Sequence, residues 1–193
     1  MGIEGLRRQG PELNEITVAD LADMLIGWVL RWCDADANKQ ILEAAPWASI
    51  PEDAKWWARW ELFLAAISAC RFGCSEHVTE ALGDAGVQDL DAEIKNRTIE
   101  ACQRAGMSGV QLRRIIERLD STHDDYTSVL LAPSVSSMEE LNRHLYTKLS
   151  ENVFGSIIED AFLAFPLITF YLACAQGFEE ASKQFPIIQK HGR

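Results

Sequence analysis

The stretch Ser49-Ile-Pro51-Glu52-Asp-Ala-Lys-Trp56-Trp57-Ala-Arg-Trp60-Glu-Leu-Phe63-Leu64-Ala-Ala-Ile67-Ser-Ala-Cys70-Arg-Phe72 decides the fold. Ser49 with Glu52 reads as a capping box, and Pro51 suits a first helical turn. Beyond that start, Trp56, Trp57, Trp60, Phe63, Leu64 and Ile67 spread apolar surface over more than half of the helix circumference. A helix so wrapped in aromatics belongs at the centre of a protein. Gly73 is expected to end it, with a short helix from Ser75 to Leu82 following.

Working outward, the helical period continues on both sides. Thr17 and Asp20 mark a capped start for a helix presenting Leu21, Met24, Leu25, Trp28 and Trp32 on one face. A short helix is expected over 35–45, stopping before Pro46. Gly83-Asp-Ala-Gly86 reads as a turn, and Asp89 or Asp91 opens a helix with Leu90, Ile94, Thr98, Ala101, Cys102 and Ala105 inward. Gly106 ends it, and Ser108 caps a helix carrying Leu112, Ile115, Ile116 and Leu119. Ser121 to Asp125 is polar and turn-like. Pro133-Ser-Val-Ser-Ser137 is the clearest linker, and Ser137 with Glu140 caps a helix bearing Met138, Leu141, Leu145, Leu149 and Val153. Gly155 breaks that helix, and a long apolar one follows, bent at Pro166.

No stretch alternates for long enough to demand a strand. The expected fold is an all-α, irregular bundle of about seven to nine helices with a buried apolar C-terminal helix. It is expected as one domain, with sub-lobes over 1–132 and 138–193 joined at Pro133–Ser137. The chain of 193 residues is long enough to bury a sizeable core, and 48% of it is apolar.

Eighteen uncharged residues from Ala161 to Phe178 reach the lower edge of a membrane span. Acidic pairs at both ends, Pro166, and the lack of Lys or Arg to orient the segment favour a buried helix instead. The N-terminus is polar without an apolar leader core, and five scattered cysteines suit a reducing compartment. The expectation is a cytoplasmic protein without a membrane role, with Cys33, Cys102 and Cys174 as small core residues.

A net charge of −11 argues against broad nucleic-acid binding. Against that background, Glu93 to Arg118 holds six Lys/Arg and three Asp/Glu. Within it, Cys102, Gly106, Met107, Leu112 and Ile115 meet the small, Gly and apolar positions of a helix-turn-helix. Its outward positions would be Ser108, Gly109, Val110, Arg113 and Arg114, with Arg104 and Arg118 adding charge for phosphates or guanine edges. A Gly stop followed by a Ser cap is also ordinary punctuation between any two helices, and the first helix is long for such a motif.

Cys70, Cys74 and His77 form the closest cluster of soft ligands, but zinc needs a fourth and Cys70 already fits the apolar stripe. The sequence therefore assigns no metal and no cofactor. His123-Asp124 is similar to the adjacent pair of metal-dependent phosphohydrolases, with only His77 and Asp160 as further ligands, so a metal-dependent enzyme ranks third. By elimination, since no catalytic or cofactor signature stands out, the first expectation is a non-enzymatic protein that binds another protein, in an inhibitor, immunity-type or adaptor role. A basic partner would meet Glu52-Asp53, Asp124-Asp125, Glu139-Glu140 or Glu179-Glu180. DNA binding by residues 98–118 is the alternative.

Overall fold

The computed structural model describes residues 15–34, 51–107, 109–130, 137–154 and 167–189. The helix expected over 35–45, most of the linker, and the segment with Gly155, Asp160 and Pro166 lie outside these residues. Five helices form the described part: α1 (Val18–Asp34), α2 (Glu52–Arg104), α3 (Gly109–Leu130), α4 (Met138–Phe154) and α5 (Leu167–Ser182). The count among the described residues is five, not seven to nine: the helix expected over 35–45 lies outside them, and segments expected to be separate at Gly73 and at Ser121 to Asp125 are continuous. Two short strands, β1 (Ile16–Thr17) and β2 (Ile187–Ile188), pair in parallel, Ile16 with Ile187 and Thr17 with Ile188. They join segments from opposite ends of the chain, a contact too short to leave a sequence pattern.

Helix α2 touches every other helix. It is two arms and not one rod. Gly83 sits at φ 70°, ψ −168°, a backbone region open essentially to Gly alone. Arg71 and Asp91 would lie about 30 Å apart on a straight helix, yet their side chains form an ion pair. The chain therefore reverses near Gly83, as the turn reading expected, and the second arm lies back beside the first.

Gly73 does not end a helix. The first arm runs through it, and a Cβ at this position would collide with the Ala175 backbone carbonyl of α5. Its missing side chain lets α2 and α5 approach, a use of Gly that sequence cannot distinguish from a helix stop. Ser121 to Asp125 is likewise no loop, because α3 runs through it. Ser121, Thr122 and Asp125 bond to Arg118 within α3, and His123 reaches Ser68 of α2.

Several local signals are realised as read. The Thr17 N–H donates to Asp20 Oδ2 (2.9 Å) and the Asp20 N–H donates to Thr17 Oγ1 (3.2 Å), a reciprocal cap on α1. The Glu140 N–H donates to Ser137 Oγ at 3.2 Å. At the end of α2, the Met107 N–H reaches the Cys102 carbonyl (3.0 Å) and the Gly106 N–H reaches that of Gln103 (2.9 Å). With Gly106 at φ 81°, this is a Schellman termination, and Met107 and Cys102 are both buried against it.

The core is densest along Leu62 to Cys70, where α2 is buried on all sides. The tryptophans among the described residues sit at its margin. Trp28, Trp32, Trp56, Trp57 and Trp60 are half-buried and pack against the core, with Trp28 edge-on to Phe178 at 6.2 Å. On α5, Tyr171, Cys174, Ala175, Phe178 and Ser182 are buried at helical spacing. Among the described residues, no helix is long and apolar enough to cross a membrane.

Helix propensity alone favours Ala over Gly by about 1 kcal/mol. Gly27→Ala, in α1 with open space around it, is expected to raise stability by up to that amount. Gly73→Ala is expected to lower it, by about 1–3 kcal/mol for forcing two helices apart. Urea denaturation of the two variants checks the sign of each.

Candidate functional site

The basic island is largely spent on contacts within the protein. Arg118 points inward from α3: its Nη2 donates to Glu61 Oε1 (2.8 Å) and its Nε to Glu61 Oε2 (3.3 Å), while Nη1 reaches Asp125 Oδ2 (3.0 Å) and Ser121 Oγ (2.6 Å). Burial opposes the charge on Arg118, but hydrogen bonds and charge from Glu61 and then Asp125 outweigh it and raise its pKa. Arg114 lies over the Trp57 ring, 3.8 Å from the centroid, a cation–π contact with α2. Lys95 pairs with Asp120 (2.7 Å), and Arg97 with Asp23 of α1 (2.8 Å). Arg104 is exposed beside Glu100 (3.8 Å), and Arg113 is exposed near Val110, itself 81% exposed. Ser108 lies outside the described residues.

The acidic positions also divide. Asp125 belongs to the Arg118 network, and Glu52 pairs with Lys55 at 2.8 Å. Asp124 is exposed at the mouth of a cleft. Glu140 is half-buried on α4, and the side chains of Asp53 and Glu139 lie outside the described set. Glu179 pairs with Lys183 at 2.5 Å, and Glu180 is exposed beside it. The hydrogen bond and charge of Glu179 raise the Lys183 pKa, and Glu76 and Glu80 of α2 add to the same field. These last two are acidic partners that adjacency in sequence could not reveal, because they lie about a hundred residues away.

Cys70, Cys74, Cys102 and Cys174 are buried thiols outside any disulfide. Desolvation pushes the Cys74 thiol up to about 12 and the Cys102 thiol to about 11, which keeps both protonated and unreactive. The imidazole of His77 donates from Nε2 to the Phe185 carbonyl (3.1 Å), tying α2 to the turn before β2. Cys70 approaches the Cys174 carbonyl of α5 instead of joining Cys74 and His77. Among the described residues, no three His, Cys, Asp or Glu side chains converge as metal ligands would.

The cleft lies between the two arms of α2 and α3, with a volume of about 360 Å³. Leu64, Ile67, Ile94 and Leu119 give it an apolar floor, and Arg71, Asp91, Lys95, Asp120 and Asp124 surround that floor with charge. His123 borders it. Ser68, only 2% exposed, lies 3.4 Å from His123 Nδ1 and 3.0 Å from the Tyr171 hydroxyl, and Thr127 Oγ1 is 3.3 Å from Nδ1. Burial depresses the His123 pKa to about 4, and the Arg71 charge adds to it, against weaker opposition from Asp91 and Asp124. The ring is therefore a neutral hydrogen-bonding group near pH 7. Sequence reasoning noticed His123-Asp124 as a pair but read the segment as a loop, so Ser68 and Arg71 were missed as its neighbours.

The His123 shift has a pH signature. The unfolded chain takes up a proton near pH 6.5 and the folded chain only near 4, so stability is lost as pH falls through that window. Thermal melts should show His123→Gln losing less stability than the parent between these limits, with Arg71, Asp91 and Asp124 unchanged in both.

No protein-family model, curated protein or solved structure matches this chain.

Proposed function

We propose that this is a non-enzymatic cytoplasmic protein that acts by binding another protein, in an inhibitor, immunity-type or adaptor role, through an acidic surface that suits a basic partner. The carrying observation is that Glu76 and Glu80 from α2 act with Glu179 on Lys183. Charges from two elements far apart in sequence thus add on one surface, beside exposed Glu180. Such a field speeds encounter with a basic protein and disfavours acidic ones. The other acidic clusters support the reading less, since Asp125 and Glu52 already have partners within the chain.

DNA binding by residues 98–118 remains the second reading. Its support is the Gly106 turn with exposed Arg104 and Arg113. Against it, Arg118 faces Glu61, Arg114 covers Trp57, and the chain opposes DNA with a net charge of −11.

Charge reversal by Glu76→Lys, Glu80→Lys and Glu180→Lys separates the two. A pull-down with nuclease is expected to recover a basic protein with the parent chain, and the triple variant should associate with it at least about tenfold more slowly at low salt. Arg113→Ala should leave that association unchanged. Equal capture by the reversed variant, or tight salt-sensitive binding of duplex DNA lost in Arg113→Ala, would reverse the order of the two readings.

A further inference from the structure

We propose that the cleft between the arms of α2 and α3 is a binding site for a small zwitterion with an apolar group, in chemical class a free α-amino acid. The cleft is at the small end of the range for ligand pockets, which suits a metabolite and not a peptide or nucleotide. Its floor is apolar while its charge comes as cation–carboxylate pairs from facing helices: Arg71 with Asp91 across the α2 turn, and Lys95 with Asp120 from α2 to α3.

A purely anionic ligand entering there would meet three carboxylates, counting Asp124, and a purely cationic one would meet Arg71 and Lys95. A ligand carrying both charges can set each against its opposite. Arg71 is the natural carboxylate anchor. Its side chain is 18% exposed, so a charge-assisted hydrogen bond there is partly shielded from water. A guanidinium has five N–H donors, and the Asp91 pair uses Nε and Nη2. At the α3 wall, Asp124 supplies negative charge and His123 a neutral ring for an ammonium group. The His123 ring is kept neutral by burial and by the Arg71 charge. The ligand's side chain would then rest on Leu64, Ile67 and Leu119. This assignment is independent of the acidic surface near Lys183.

The test is calorimetric titration of the full chain with each proteinogenic L-amino acid in turn. Chemical-shift mapping would locate any binding at His123 and Ile67. At least one apolar amino acid should bind saturably and shift both residues. For leucine as probe, 3-methylbutylamine and 4-methylpentanoate, which each lack one charged group, should bind at least about tenfold more weakly, the scale of one charge-assisted hydrogen bond. Asp124→Asn, an exposed position where folding is not at risk, should weaken binding by a similar factor, and Arg71→Gln should abolish it in a variant shown by its spectrum to be folded. Failure of every amino acid to shift these residues would overturn the proposal. So would an amine that binds as well as its parent amino acid, or binding undiminished in Asp124→Asn.

Discussion

The ion pair between Glu61 and Arg118 is the constraint on which the rest of the structure depends. Glu61 is 5% exposed in the densest part of the core. Its Oε1 accepts hydrogen bonds from Arg118, from the Tyr126 hydroxyl (3.0 Å) and from Asn152 Nδ2 (2.8 Å). One carboxylate thereby joins α2, α3 and α4. Burying a charge this deeply is unfavourable unless it is paired and its remaining lone pairs are satisfied, and here both conditions are met. The demand for satisfaction fixes the rotation of α3, because Arg118 and Tyr126 must both turn toward Glu61 of α2, while Ser121 and Asp125 hold the Arg118 guanidinium from within α3. With α3 so rotated, His123 falls beside Ser68 and Asp120 beside Lys95.

That rotation also decides how the surface is used. A net positive segment in sequence becomes largely a set of internal tethers in three dimensions; among the described residues Arg104 and Arg113 are exposed, and Arg114, exposed as well, lies over Trp57. The acidic residues change in the opposite sense. Glu76 and Glu80 are unremarkable in sequence, yet the approach of α5 to α2 at Gly73 brings Glu179 to them. Close helix packing allowed by one absent side chain thus helps assemble the acidic surface.

What was legible in sequence was local. The Thr17–Asp20 cap, the Ser137 cap and the Gly106 termination each depend on residues within five positions, and each formed as read. The apolar stripes of α1 and α4 were equally plain, since Leu21, Leu25, Leu145 and Leu149 are buried at helical spacing. What was not legible depended on partners far along the chain. Ser121 to Asp125 looked like a loop because polar residues favour turns when nothing answers them, but Ser68, which meets His123, and Glu61, which meets the Arg118 that Ser121 and Asp125 hold, each lie more than fifty residues away. Arg118 resembled a phosphate contact for the same reason. Gly73 and the β1–β2 pairing carry no periodic signal at all.

A double-mutant cycle on Glu61→Gln and Arg118→Met, followed by urea denaturation, tests the central claim most directly. Each single change should cost about 3–5 kcal/mol, because it strands the other charge in a buried site. The double variant should be more stable than the sum of the two costs implies, giving a coupling energy of about 1–3 kcal/mol. Additive costs below about 1 kcal/mol each, the range of exposed ion pairs, would contradict the account and return Arg118 to the surface.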